Sequence, residues 1–186
     1  MEAGEPLRQA QLLFVDGKDK ESVEAFSKAL EAGADPYIVY LSRGVVYVKM
    51  KETDPALQDF SKAIKANDKS SRAYFFRGMA FMMKEEFENA ISDFSKALGL
   101  KHDYFIAMFA RGVSYARLGK FEEASKDMLK VMPQMEENLQ SFADSYGIVR
   151  TEMWKVMAQV SGDAKTPTLE LGDKEMEMLK KWLQEE

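Results

Sequence analysis

Apolar residues in this chain return at three- and four-residue steps, the period at which one face of a helix is buried. They do so in paired blocks. One block runs through Tyr40, Gly44 and Tyr47, a polar break KETDP follows at 51–55, and a second block runs through Leu57, Phe60 and Ile64. The same alternation lies on either side, broken at DGKDKES (16–22), KEE (84–86) and LGK (118–120). Blocks of this length with helical spacing and short polar breaks predict antiparallel helix pairs.

The pairs repeat. YLSRGVVY ends at Tyr47, YFFRGMAF at Phe81 and MFARGVSY at Tyr115, each 34 residues after the last. On that ruler the chain divides into 3–36, 37–70, 71–104 and 105–138 without insertion or deletion. Gly44, Gly78 and Gly112 align, as do Ala56, Ala90 and Ala124, and then Phe60, Phe94 and Met128. The first copy is weaker, with Ala10 in the glycine column and Phe26 in the aromatic one. Glycine inside a helix costs roughly 1 kcal/mol against alanine. Its recurrence at one column therefore points to a close approach that a Cβ would obstruct.

A large apolar residue, glycine and an aromatic, followed by alanine and a second aromatic, resemble the tetratricopeptide repeat, a helix-turn-helix unit of 34 residues. The resemblance covers about three quarters of the chain. It implies an all-α, right-handed α-solenoid of four repeats, stacked because no single pair can bury its own apolar face. Beyond the repeats, Leu139, Phe142, Tyr146, Val149, Met153, Val156 and Val160 keep helical spacing, so 139–160 is expected as a long capping helix. A linker, 161–172, and a terminal amphipathic helix, 173–186, complete the reading, with Met176, Leu179, Trp182 and Leu183 on one face.

Arginine departs from the family pattern. Leucine is usual before the glycine, yet Arg43, Arg77 and Arg111 stand there, each with an aspartate sixteen residues on: Asp59, Asp93 and Asp127. The first copy has Gln9 and Ala25 in those columns, so the two residue types come and go together. A structural ion pair inside each repeat is expected, the alternative being solvated surface charge. The usual proline column holds Asp68, His102 and Glu136, while Pro133 is expected to end or kink the last repeat helix early.

A second apolar stripe runs along the first helix of each copy: Leu7 and Phe14; Ile38, Leu41, Val45 and Val48; Phe75, Met79 and Met82; Ile106, Phe109 and Val113. In the family these columns face the concave groove where peptides bind. The resemblance thus implies an apolar groove with adaptable methionines and Arg72, Lys49 and Arg117 as candidate charged rim. The same stripe is equally compatible with core in a tightly wound solenoid, or with a surface covered by the chain itself, in particular by 173–186. Some family members clamp the terminal carboxylate of heat-shock chaperones with lysines and asparagines. Here the matching columns hold Leu7, Gln11, Ser42, Arg72 and Phe76, so that clamp is not expected.

Composition narrows the chemistry. The 186 residues carry 26 basic and 31 acidic side chains, a net charge of -5, which offers no general attraction to nucleic-acid phosphates. There is no cysteine and one histidine, His102, beside Lys101 and Asp103 in an expected junction, so neither a catalytic constellation nor a metal or cofactor site is expected. No apolar run approaches the ~20 residues of a spanning helix, and a cytoplasmic protein is expected. The sequence therefore reads as a non-enzymatic scaffold or adaptor that binds a protein or peptide partner. Two rivals are a chaperone for an apolar client segment and a structural homo-oligomer assembled through the C-terminal helices.

Overall fold

The computed structural model describes residues 4–131. The capping helix, linker and terminal helix read from the sequence, Pro133, and any oligomer contact they would make lie outside the described residues. Seven helices are α1 (Gly4–Val15), α2 (Asp19–Glu31), α3 (Pro36–Lys49), α4 (Thr53–Ala66), α5 (Ser71–Met83), α6 (Phe87–Leu100) and α7 (Phe105–Arg117). An eighth, α8, occupies 121–131. They form four helix-turn-helix pairs stacked in chain order, an all-α solenoid.

Each helix packs on its neighbours in sequence, and the first helices also meet one another: α1 with α3, α3 with α5, and α5 with α7. No such contact joins α2, α4 and α6 to one another. The row of first helices is thus the inner, tighter row, and its free side is the concave side of the stack.

Every pair turns in the same way. Gly17, Lys51, Glu85 and Gly119, spaced by the repeat, all hold positive φ, between 60° and 74°. The residue after each donates its N–H back into the first helix: Lys18 to Leu13, Glu52 to Tyr47, Glu86 to Phe81 and Lys120 to Tyr115, all at 2.9 Å. This is a left-handed cap that uses up carbonyls the helix end leaves open. Between pairs, Asp35 caps α3 by accepting from the Tyr37 N–H at 2.8 Å, with Pro36 in the first turn. Ser70 caps α5 by accepting from Ala73 at 3.1 Å, and its hydroxyl lies 2.7 Å from that of Tyr37.

The repeat columns become the core. Phe26, Phe60 and Phe94, with Met128 in the fourth pair, are each at most 2% exposed, and Ala29, Ala63 and Ala97 beside them are fully buried. A Cβ built on Gly44 would stand 2.5 Å from the Phe60 ring, and one on Gly78 would stand 2.7 Å from Phe94. The glycine is there because the ring of the partner helix rests on its backbone. At Gly112 the nearest atom is the end of Met128, at 2.9 Å. The first pair solves the contact differently: buried Ala10 replaces glycine, and Ser22 replaces the small alanine and donates its hydroxyl to the Ala10 carbonyl at 2.9 Å.

Candidate peptide-binding groove

The inner row presents its apolar stripe unevenly. Ile38 is 37% exposed and Met83 44%. Leu7, Phe14, Val45, Val48, Met79 and Met82 are half-buried. One column lies deeper: Leu41, Phe75 and Phe109 are at most 7% exposed and belong to the cores between pairs. Phe75 shows why, since its ring meets those of Phe76, Phe94 and Tyr104 with centroids 5.4, 5.9 and 5.2 Å apart. In the fourth pair, Ile106 and Val113 are buried as well, at 9% and 5%. The accessible apolar surface thus runs over α1, α3 and α5, with methionine at its centre.

Two of the three rim cations are already engaged. Lys49 lies 2.7 Å from Asp19 and over the ring of Phe14, 5.0 Å from its centroid. Arg117 lies 3.4 Å from Glu85 and 5.0 Å from the centre of Phe87. Arg72, at the start of α5, is exposed and has no ion-pair partner among the described residues. A ligand would therefore meet an apolar floor and one available guanidinium.

Behind the groove, Arg43 Nε lies 2.6 Å from one Asp59 oxygen and Nη2 lies 2.9 Å from the other. Arg77 holds Asp93 at 2.7 and 2.8 Å, and Arg111 holds Asp127 at the same two distances. These are fork-to-fork pairs, the geometry in which a guanidinium binds a carboxylate most strongly. The aspartates are at most 5% exposed. Hydrogen bonding to the carboxylate raises the pKa of each arginine above its ordinary value, against the opposing effect of burial. The third nitrogen of each guanidinium reaches across to the preceding pair: Arg43 to Ser27 at 2.7 Å, Arg77 to Ser61 at 3.3 Å and Arg111 to Ser95 at 3.0 Å. Sequence reasoning passed over these serines because a serine inside an amphipathic helix reads as surface, although AFSK, DFSK and DFSK carry the column plainly.

His102 is exposed in the turn between α6 and α7, and among the described residues no group of three or more His, Cys, Asp or Glu is placed to hold a metal ion. No helix among them is long and apolar enough to cross a membrane.

The tetratricopeptide repeat profile matches residues 41–103, the span that holds α4, α5 and α6 and the C-terminal part of α3. Residues 41–103, about a third of the chain, thus match the tetratricopeptide repeat, and the helix pairs on either side stack in the same way. The chain is similar to MamA 41-end from Desulfovibrio magneticus RS-1, at 22% identity and a TM-score of 0.68, over 74% of this chain and 77% of that one. It is also similar to the first TPR of Spaghetti (RPAP3) bound to the HSP90 peptide SRMEEVD, at 25% identity and a TM-score of 0.60, over 63% of this chain and 94% of that one. The first TPR domain of human RPAP3, solved by NMR, matches at 23% identity and a TM-score of 0.59, over 63% and 92%. At 22 and 23% identity the likeness is one of fold. No curated protein matches the sequence.

Proposed function

We propose that the chain is a non-enzymatic interaction scaffold that binds an apolar or amphipathic peptide segment along its concave side, over α1, α3 and α5. The observation that carries this reading is the half-exposed stripe of Val45, Val48, Met79 and Met82, flanked by Ile38 and Met83, on the inner row of helices. Contiguous apolar surface of this kind marks a docking site more often than scattered exposed residues do. Unbranched methionines can repack around different apolar side chains. The RPAP3 domain supports the reading, since a relative in fold takes a peptide.

The ligand differs from that peptide in chemistry. SRMEEVD carries three carboxylate side chains, whereas the groove here has Leu7, Gln11, Ser42 and Phe76 where clamp residues would stand, leaving Arg72 as the basic member. Apolar contacts therefore dominate, with one acidic residue able to meet Arg72. Photo-crosslinking tests the placement: a benzophenone side chain at Met82 captures a fluorescent amphipathic helical peptide, and one at Lys96, exposed on α6, does not. Equal capture at both positions would rule out the groove as the site.

A further inference from the structure

We infer that Arg43 and Arg77 are positioning residues for the groove, each fixing one groove-lining helix, α3 or α5, against the preceding pair through a serine, with Arg111 repeating the same joint at α7. The inference rests on the groove reading above.

The geometry gives each guanidinium two separate tasks. Nε and Nη2 are taken up by an aspartate of the arginine's own pair. That two-point hold fixes the plane of the guanidinium, so Nη1 has a fixed direction. It points at Ser27 on α2, Ser61 on α4 and Ser95 on α6, always across a repeat boundary. The serine hydroxyl is suited to the task. Ser27 donates its proton to the Val23 carbonyl at 3.0 Å and Ser61 donates to Leu57 at 2.7 Å, which leaves an oxygen lone pair for the arginine.

Serine is a poorer helix former than alanine, and a hydroxyl bonded to its own helix weakens that helix slightly. Its presence in mid-helix thus needs another reason, and the columns supply one. Serine stands where an arginine follows sixteen residues later, at Ser27, Ser61 and Ser95. Where the series stops, both partners change: the fourth pair has Leu129 in the serine column, 62% exposed, and the next arginine column holds Ser145. The first pair, with no described pair before it, has Gln9 for arginine. Other charged contacts between pairs, such as Lys84 with Asp54, lie at the exposed edge. The arginine joints sit deeper, with side chains 12 to 23% exposed, and those of Arg43 and Arg77 belong to the groove-lining helices α3 and α5. The spacing of α1, α3 and α5 sets which apolar side chains a ligand can seat at once, so these joints set the fit.

The absence of cysteine allows a direct test in the full chain. Spin labels at Glu24→Cys and Ser92→Cys, exposed and in one repeat column on α2 and α6, report the distance across two joints. Ser27→Ala with Ser61→Ala removes both joints and leaves the arginine–aspartate pairs intact. The distance distribution is expected to shift or broaden, and a fluorescent amphipathic helical peptide to bind about three-fold or more weakly, the scale set by a net hydrogen bond. Arg43→Lys with Arg77→Lys, which keeps the charge and loses the fork, is expected to do the same. A lowered denaturation midpoint with unmoved distance and affinity overturns the inference and leaves a merely structural bond. Failure of the peptide to bind either protein overturns the groove reading instead, and the label distance alone then decides whether the joint positions the helices.

Discussion

The ring of Phe60 rests on the backbone of Gly44 so closely that a single added carbon would stand 2.5 Å from it, and Phe94 lies against Gly78 in the same way. Both rings are fully buried in the core of their pairs. Gly44→Ala and Gly78→Ala are therefore expected to destabilise the protein by about 1–3 kcal/mol, the range for overpacking. At Gly112→Ala the one contact shorter than 3.4 Å is with the flexible end of Met128, so it should cost less. Urea midpoints of the three variants check the order; equal midpoints would mean that the rings adjust freely.

Removing one partner of an arginine–aspartate pair strands the other. Asp93 is 5% exposed, so Asp93→Ala leaves Arg77 without its fork and is expected to cost more than the ~1 kcal/mol ceiling of exposed pairs. Asp54→Ala, which breaks the exposed pair with Lys84, should cost clearly less than Asp93→Ala. Thermal denaturation of both variants separates them, and similar losses would place the Arg77 pair among ordinary surface charges.

Lys51 and Glu85 adopt left-handed backbone where Gly17 and Gly119 do the same turn without a side chain. For residues with a Cβ that conformation costs roughly 1–2 kcal/mol. Lys51→Gly is thus expected to stabilise the protein by about 0.5 kcal/mol or more once glycine's extra chain entropy is counted, an unusual sign for glycine. Gly17→Ala should destabilise it by about 1 kcal/mol. Calorimetric midpoints that move in the opposite directions would show the turns to be governed by something other than φ.

The period of 34 made the helix pairs, their turns and the glycine–aromatic contacts legible, because each depends on residues repeated in register. The left-handed turn column was hidden in the middle repeats, since lysine and glutamate carry no signal for positive φ. The division of the stripe was hidden for another reason. Leu41 and Val45 look alike on a helical wheel, yet Leu41 is 7% exposed and Val45 half-buried. Which of two apolar columns faces a neighbour and which faces the groove depends on helix spacing, a property of the stack. Lys49 and Arg117 read as rim charges for a ligand, but Asp19 and Glu85 in the preceding pair engage them. That pairing crosses repeats and shows only once the repeats are stacked.

A titration tests whether the apolar surface over α1, α3 and α5 binds a peptide. A fluorescent amphipathic helical peptide, with leucine at every third and fourth position, is titrated against the wild-type chain, Val45→Glu, Met79→Glu and Lys96→Glu, with anisotropy as the readout. Both groove variants place a charge where the ligand's apolar side chains would lie, at a cost of about 1.4 kcal/mol or more, and should raise the Kd at least ~10-fold. Lys96→Glu, on the exposed side of α6, should leave it unchanged. One Kd shared by all four proteins, or no saturable binding by the wild type, would rule out the surface over α1, α3 and α5 as the binding site.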